Sequence, residues 1–424
     1  MSKNVNITPS GIKKVLKNYD AKLAIAEFIW NGFDAKADTV HLNFEVNELG
    51  TVETIEVADN GYGINFEQLN TKFDLFYSSE KAIEVNSRDE KHISTIHGKN
   101  GIGRLTFFTF AQIAQWKTTF QKNRLLLDGE ITVNTENINN YNASEVTKSQ
   151  KDKTGTSVNF YNITISKEEL EGDIIPFLKS EFCWFLELNR PKGFSIIING
   201  TPLDYQSFIE DSESFTLTYE ESNTSFYCKY YQWNNKPHKE LSRFYYLNAS
   251  HEEVYKDYTT LNNKGDEFYH SVYITSSFFN DFDFQSKENN QQTNLFSKVK
   301  YLSEYKFLHN SLNEFLRKKR KDILHKTSTK LIEKYEQDEI FPKYENDFDK
   351  SLLEETLVNL YEVQPRLFIS LNVEQKKFFV RLLNLLLASD EREHILETLE
   401  GIIEMNAEEK ESLYQLLQKS SYAQ

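Results

Sequence analysis

Along the first part of the chain the spacing of polar and apolar residues changes period several times. Leu23, Ala24, Ala26, Glu27, Trp30, Asn31 and Asp34 recur at three- and four-residue steps, as one side of a helix would place them. Alternation follows in Thr39 to Val46 and again in Val52 to Ala58, which predicts two strands. The cluster Asp59-Asn60-Gly61-Tyr62-Gly63 predicts a turn at the end of the second. Ala114 to Gln121, Arg124 to Thr132 and Thr156 to Tyr161 read as further strands of one sheet. Residues 65–97 are polar and lack strong periodicity, as a mobile lid would.

A second region, about 161–325, opens with a predicted helix around Glu168 to Phe185. Strands are expected at Phe194 to Ile198, ahead of the turn signal Asn199-Gly200, and at Phe226 to Trp233, Ser242 to Leu247 and Tyr269 to Thr275. Val299 to Lys326 is expected to be helical and carries the basic run Arg317 to Lys321. The last region, about 327–424, reads as all helical, with Asn406 a candidate cap before its final stretch. Its Leu-rich faces suit a helical bundle core or the docking of a partner.

Composition narrows the class of protein. A chain of 424 residues, 39% hydrophobic and 27% charged, fits two or three globular domains. No apolar run reaches the roughly eighteen residues of a spanning helix, and the first twenty residues lack a signal-peptide core. The two cysteines, Cys183 and Cys228, offer neither a disulfide framework nor zinc spacing, so buried thiols in a reducing cytoplasm are expected. The net charge of −15 argues against broad nucleic-acid binding. Arg317 to Lys321 could touch a nucleic-acid backbone, but a solvated helix face is the preferred reading.

Three segments then combine as a nucleotide site. Glu27 and Asn31 lie four residues apart on the predicted helix and so point the same way. A carboxylate there can activate water, and an amide oxygen one turn on suits Mg²⁺. Asp59, at a strand end, can accept a hydrogen bond from the exocyclic amine of adenine. Gly61 and Gly63, ahead of Ile64, let the backbone bend beneath a base. In the loop Gly98-Lys99-Asn100-Gly101-Ile102-Gly103, before the helix start expected at Arg104, backbone N–H groups can surround phosphate oxygens. Each segment alone is nonspecific; their order and spacing together are specific. No GxxxxGK[ST] sequence occurs, and no clear strand precedes the glycine loop as a Rossmann site requires.

These segments resemble the N, G1 and G2 boxes of the GHKL superfamily (gyrase B, the ninety-kilodalton heat-shock chaperone, histidine kinases and MutL). Thr154-Gly155-Thr156-Ser157-Val158 resembles the family's fourth, Gly-Thr box. The resemblance implies an α+β chain. A Bergerat-type α/β sandwich binding ATP would span 1–160, a transducer-like α/β domain 161–326, and a helical C-terminal region 327–424. It implies Glu27 as general base and Asn31 as Mg²⁺ ligand. Asp59 would read adenine, supported by Thr156. Gly61, Gly63 and Ile64 would shape the base pocket, and Gly98, Lys99, Asn100, Gly101, Ile102 and Gly103 would hold phosphates. Asp34, on the same helix side, joins the nucleotide-binding set.

Only about twenty-five residues precede Glu27 and none is His, which disfavours a histidine kinase; His92 and His97 read as solvated loop residues. Lys287 and Lys298, flanking Gln291-Gln292-Thr293-Asn294, are candidates for a lysine at the γ-phosphate, without a clean match to the family motif. The resemblance thus predicts an ATPase that closes and dimerises on ATP. Its partner would be a protein at the C-terminal helices, and its setting phage defence or a DNA transaction. A nucleotide-gated module that hardly turns over is the alternative.

Overall fold

The computed structural model describes residues 16, 19–69, 103–137, 141–236, 242–262, 266–284, 298–344, 347–363, 365, 368 and 371–389. Two compact units divide it: Met1–Asp257 with Tyr269–Lys300, and Tyr258–Phe268 with Tyr301–Gln424.

In the first unit α1 (Ala21–Asp34) begins where Asp20 Oδ1 accepts a hydrogen bond from the Leu23 N–H, 3.0 Å away, capping an end that would otherwise leave donors unmet. β1 (Thr39–Val46) and β2 (Val52–Asp59) form an antiparallel hairpin. Asn47 Oδ1 accepts from Leu49 and Thr51 N–H in its turn. A second hairpin joins β3 (Ile113–Lys122) to β4 (Leu125–Asn134). The short strands β5 (Asn142–Ala143) and β6 (Thr147–Lys148) both pair with β4. β7 (Gly155–Tyr161) then enters between β3 and β2, antiparallel to both. β8 (Ser195–Ile198) runs parallel to β1, and β9 (Thr201–Pro202) turns back on it. Asn199 and Gly200, both at positive φ, make that two-residue turn. The order is β5-β4-β3-β7-β2-β1-β8-β9, nine described strands with β6 on β4.

Aromatic side chains seat the helices on this sheet. Phe28 of α1 meets Phe160 of β7 edge-on at 4.8 Å, and Trp30 packs on Phe182 and Phe185 of α2 (Ile175–Leu188) at 4.5 and 4.8 Å. Such geometries add to area burial. Trp30 Nε1 donates to Glu181 Oε1 at 3.1 Å, so the buried indole N–H is satisfied. With Phe28, Trp30 and Phe33 directed inward, Glu27, Asn31 and Asp34 fall at the half-buried margin of α1.

The second sheet contains β10 (Ile209–Tyr219), β11 (Thr224–Trp233), β12 (Arg243–Leu247), β13 (Glu253–Tyr258) and β14 (Tyr269–Thr275), in the order β10-β11-β14-β12-β13. Alternation had pointed to β11, β12 and β14 but not to β10 or β13. Those two are the edges, where half-exposed positions need not be apolar. Trp184 of α2 stacks on Tyr245 at 5.5 Å and its carbonyl accepts from Tyr273 Oη at 2.7 Å. The buried Glu187 carboxylate accepts from Tyr205 Oη at 2.8 Å and Tyr231 Oη at 2.7 Å, with Arg190 at 3.4 Å. Cys183 and Cys228 are free and buried, and burial pushes both thiols up to about 12. Two short parallel strands, β15 (Phe282–Asp283) and β16 (Lys298–Val299), follow.

In the second unit α3 (Ser303–Gln337) starts later and ends later than the sequence pattern suggests. Leu308, Leu312, Leu316, Arg320, Leu324 and Ser328 are buried at four-residue steps, the signature of one helix face. Arg320 belongs to the basic run but points inward, its Nε donating to Asp266 Oδ2 at 2.6 Å. α4 (Asp347–Val363) and α5 (Val373–Leu387) complete a small core through Leu353, Leu357, Leu360, Val380 and Leu383. Asn372 and Gln375 form a capping box at the start of α5. The stretches expected to be helical beyond residue 389, with the Asn406 cap, lie outside the described residues. No helix among the described residues is long and apolar enough to cross a membrane.

Candidate functional site

The site sits where α1 crosses the end of β2. A β-carbon added to Gly32, on the sheet side of α1, would lie 3.0 Å from Asp59 Cβ and 2.9 Å from Val40 Cγ2. A glycine inside a helix costs about 1 kcal/mol against alanine; here its missing side chain lets α1 pass directly over Asp59. The helix ends with Lys36 at φ +63°, and the Ala35 carbonyl accepts from the Tyr62 N–H at 3.0 Å. That bond ties the end of α1 to the loop after β2. A β-carbon at Gly61 would stand 2.5 Å from the same carbonyl, so glycine is required for the close approach.

Asp59 is the electrostatic centre of this arrangement. Burial raises its carboxyl to about 6, against the opposing pull of hydrogen bonds from the Gly61 and Thr156 backbones. The Gly61 N–H reaches Asp59 Oδ1 at 2.8 Å. Asn60 secures the turn from the other side, its Oδ1 accepting from Asp38 and Thr39 N–H at 3.1 and 3.2 Å. Beyond it Gly63, at φ +76°, runs so close to the Thr119 carbonyl that any β-carbon would strike it. The Ile64 N–H then donates to Thr118 Oγ1 at 2.8 Å.

Sheet register brings the fourth box here. Asp59 pairs with Thr156 across β2 and β7, and Thr156 with Thr118 across β7 and β3. Directly paired residues share a sheet face, so Asp59, Thr156 and Thr118 form a row beneath the loop. The two threonine hydroxyls are 3.1 Å apart.

On the other side of α1, a short 3₁₀ helix spans Gly103–Thr109, where the pattern at Arg104 had suggested the start of an α-helix. Thr106 Oγ1 donates to the Gly103 carbonyl at 2.7 Å, a local side-chain bond that favours tight turns over regular helix. A β-carbon at Gly103 would lie 2.5 Å from Glu27 Oε1. The last glycine of the loop therefore touches the carboxylate of the helix.

Glu27, Asn31 and Asp34 thus share α1. Asp59, Gly61, Gly63, Ile64 and Thr156 converge on one sheet end, and Gly103 joins Glu27. Gly98, Lys99, Asn100, Gly101 and Ile102 lie outside the described residues, as do 70–97 with His92 and His97, and 285–297 with Lys287. Lys298 contributes backbone to β16. Sequence spacing had assigned no role to Gly32 or Thr118. The glycine inside an apolar helix was the available signal for the first; only sheet register reveals the second.

Residues 19–164 match the family model described as Histidine kinase-, DNA gyrase B-, and HSP90-like ATPase. Over 183 residues, 42% of the chain, the sequence is 27% identical to a Herpetosiphon aurantiacus protein described as "Putative type II restriction enzyme HgiDII". The aligned stretch covers 28% of that protein's length. Two crystal structures of the ATPase region of Saccharomyces cerevisiae topoisomerase II, one bound to ICRF-187 (dexrazoxane), are similar at TM-scores of 0.35 and 0.34. Their identities are 13% and 15%; the matches cover 60% and 65% of this chain and 72% and 76% of those chains. With its boxes in family order and the family model spanning them, the chain carries across residues 19–164 an ATPase domain of the GHKL superfamily.

Proposed function

We propose that this ATPase uses Glu27 as the general base that activates water for attack on the γ-phosphate of ATP. The observation that carries the reading is the contact of the Glu27 carboxylate with Gly103, the residue at which the phosphate loop ends. Asp59, with Thr156 beside it, reads the adenine amine, while Gly61, Gly63 and Ile64 form the floor under the base. Asp34 assists at the margin of α1, and the loop from Gly98 to Gly103 holds phosphates through its N–H groups.

Mg²⁺ fits the donor set: Asn31 offers an amide oxygen one turn along α1 from Glu27. When bound, the metal would offset charge on the phosphate oxygens.

ATP binding closes and dimerises the domain, and hydrolysis resets it, provided that ATP favours the closed state. The half-exposed or exposed Phe378, Leu382 and Leu385 on α5 support a protein partner at the C-terminal helices. The relative described as a putative type II restriction enzyme supports a role in phage defence.

Phosphate release by wild type and Glu27→Ala tests the base. Release lost in the variant, with ATP binding kept, is expected; equal, near-zero release in both would favour a nucleotide-gated module without turnover. Light scattering tests the switch, and monomers with or without ATP would count against it. Pull-down with Glu27→Ala and ATP, which should hold the closed state, identifies the partner.

A further inference from the structure

Thr118 belongs to none of the four boxes, yet it is the point at which two of them are joined. Its side chain lies in β3, 2% exposed. Its hydroxyl accepts from the Ile64 N–H at 2.8 Å, which fixes the far end of the loop that begins at Asp59. The same oxygen lies 3.1 Å from Thr156 Oγ1 and 3.3 Å from the Gly155 carbonyl.

We infer that Thr118 is a positioning residue for the adenine side of the nucleotide pocket, setting both the Ile64 backbone and the hydroxyl direction of Thr156. The inference rests on the nucleotide reading proposed above. A hydroxyl has one proton to donate and two lone pairs to accept with. Thr118 donates its one proton to the Gly155 carbonyl, so its two lone pairs accept from the Ile64 N–H and from the Thr156 hydroxyl. The Thr156 proton is then held toward Thr118, which leaves the Thr156 lone pairs turned outward to accept from a base beside Asp59. Bonds chained in this way polarise one another, so the order runs from the loop backbone through both threonines to the edge of the base pocket. Gly63, which admits no β-carbon against the Thr119 carbonyl, brings the Ile64 N–H within reach.

The test compares steady-state ATP hydrolysis by the full chain as wild type, Thr118→Val, Thr118→Ala and Thr118→Ser. Valine keeps the branched shape and loses the hydroxyl; alanine also loses it without added bulk; serine retains it. Loss of the hydroxyl is expected to raise KM for ATP about tenfold, the fold-change of a hydrogen bond worth about 1.4 kcal/mol. The kcat is expected to change less than twofold, and serine to restore KM. A purely structural role would lower active fraction and kcat without that split. Hydrogen exchange at the Ile64 amide in wild type keeps the inference testable should both hydroxyl-free variants misfold. Protection is expected, and exchange at the rate of an open loop overturns it. Wild-type KM in a folded Thr118→Val or Thr118→Ala overturns the inference alone, whereas a wild type that neither binds nor hydrolyses ATP overturns the nucleotide reading beneath it.

Discussion

The backbone of Gly103 lies against the carboxylate of Glu27, so closely that a β-carbon at 103 would come within 2.5 Å of Glu27 Oε1. A side chain at 103 must therefore displace the carboxylate or the loop end. A misplacement of about 1 Å in a reacting group can cost on the order of a hundredfold in rate. Gly103→Ala is accordingly expected to lower kcat for phosphate release by at least tenfold, while equilibrium ATP binding changes much less. Stopped-flow phosphate release and calorimetry separate the two, and a variant with wild-type kcat would remove the importance of this contact.

The raised carboxyl of Asp59 makes stability depend on pH and, on the proposed reading of the site, nucleotide binding as well. Its carboxyl is raised by burial from 3.8 to about 6, so between those values the folded chain keeps a proton that the unfolded chain has lost. The stabilising contribution is full below the unfolded value and is lost as the pH rises through about 6. Asp59→Asn is expected to be the more stable protein at pH 8, by on the order of 3 kcal/mol, with the gap closing toward pH 4. Denaturant titrations at both pH values check the sign.

With Asp59 reading the adenine amine as proposed, the same titration is expected to act on ATP in the opposite direction. Only the ionised carboxylate offers all its lone pairs to an adenine amine, so wild-type affinity for ATP should fall as the pH drops through about 6. Calorimetry from pH 5 to 8 measures this, and Asp59→Asn should bind more weakly throughout with a flatter profile. A flat profile in wild type would argue that Asp59 does not face the base.

Glu187 of α2 ties that helix to β11 through Tyr231 and to the segment after β9 through Tyr205, with Arg190 beside it. Glu187→Ala leaves the buried Tyr205 hydroxyl and the half-buried Tyr231 hydroxyl without their acceptor, and a buried unmet polar group costs about 1–3 kcal/mol. The variant is expected to unfold at lower denaturant by that order for each hydroxyl. Tyr231→Phe, which removes one donor and leaves the rest, should lose only about 1 kcal/mol. Similar midpoints for both variants would show that the carboxylate is not the centre of the joint.

Within the basic run, position decides consequence. Asp266→Ala strips the partner from buried Arg320, a change expected to cost about 3–5 kcal/mol. Exposed Arg317 or Lys318 changed to alanine should stay within about 0.5 kcal/mol of wild type. Unfolding curves for the three variants make the comparison, and a harmless Asp266→Ala would overturn the assignment of Arg320 to the core.

Local pattern determined much of the ATPase domain. Val40 and Leu42 alternate because one face of β1 is buried, and the four-residue step from Glu27 to Asn31 follows from helical pitch. The turn after Asp59 was legible because glycines alone tolerate its close approaches. The edge strands β10 and β13 and the inward turn of Arg320 were not legible. Each depends on which neighbour the fold supplies, Asp266 in the case of Arg320.

By itself, then, the sequence determined which boxes are present, their order and the elements that carry most of them, since these rest on short-range periodicity and backbone conformation. Only the tertiary structure decided that Gly103 meets Glu27, that Gly32 admits Asp59 beneath α1, and that Thr118 completes the row with Thr156 and Asp59. Those relations arise from sheet register and helix packing between segments distant along the chain, and no local spacing encodes them.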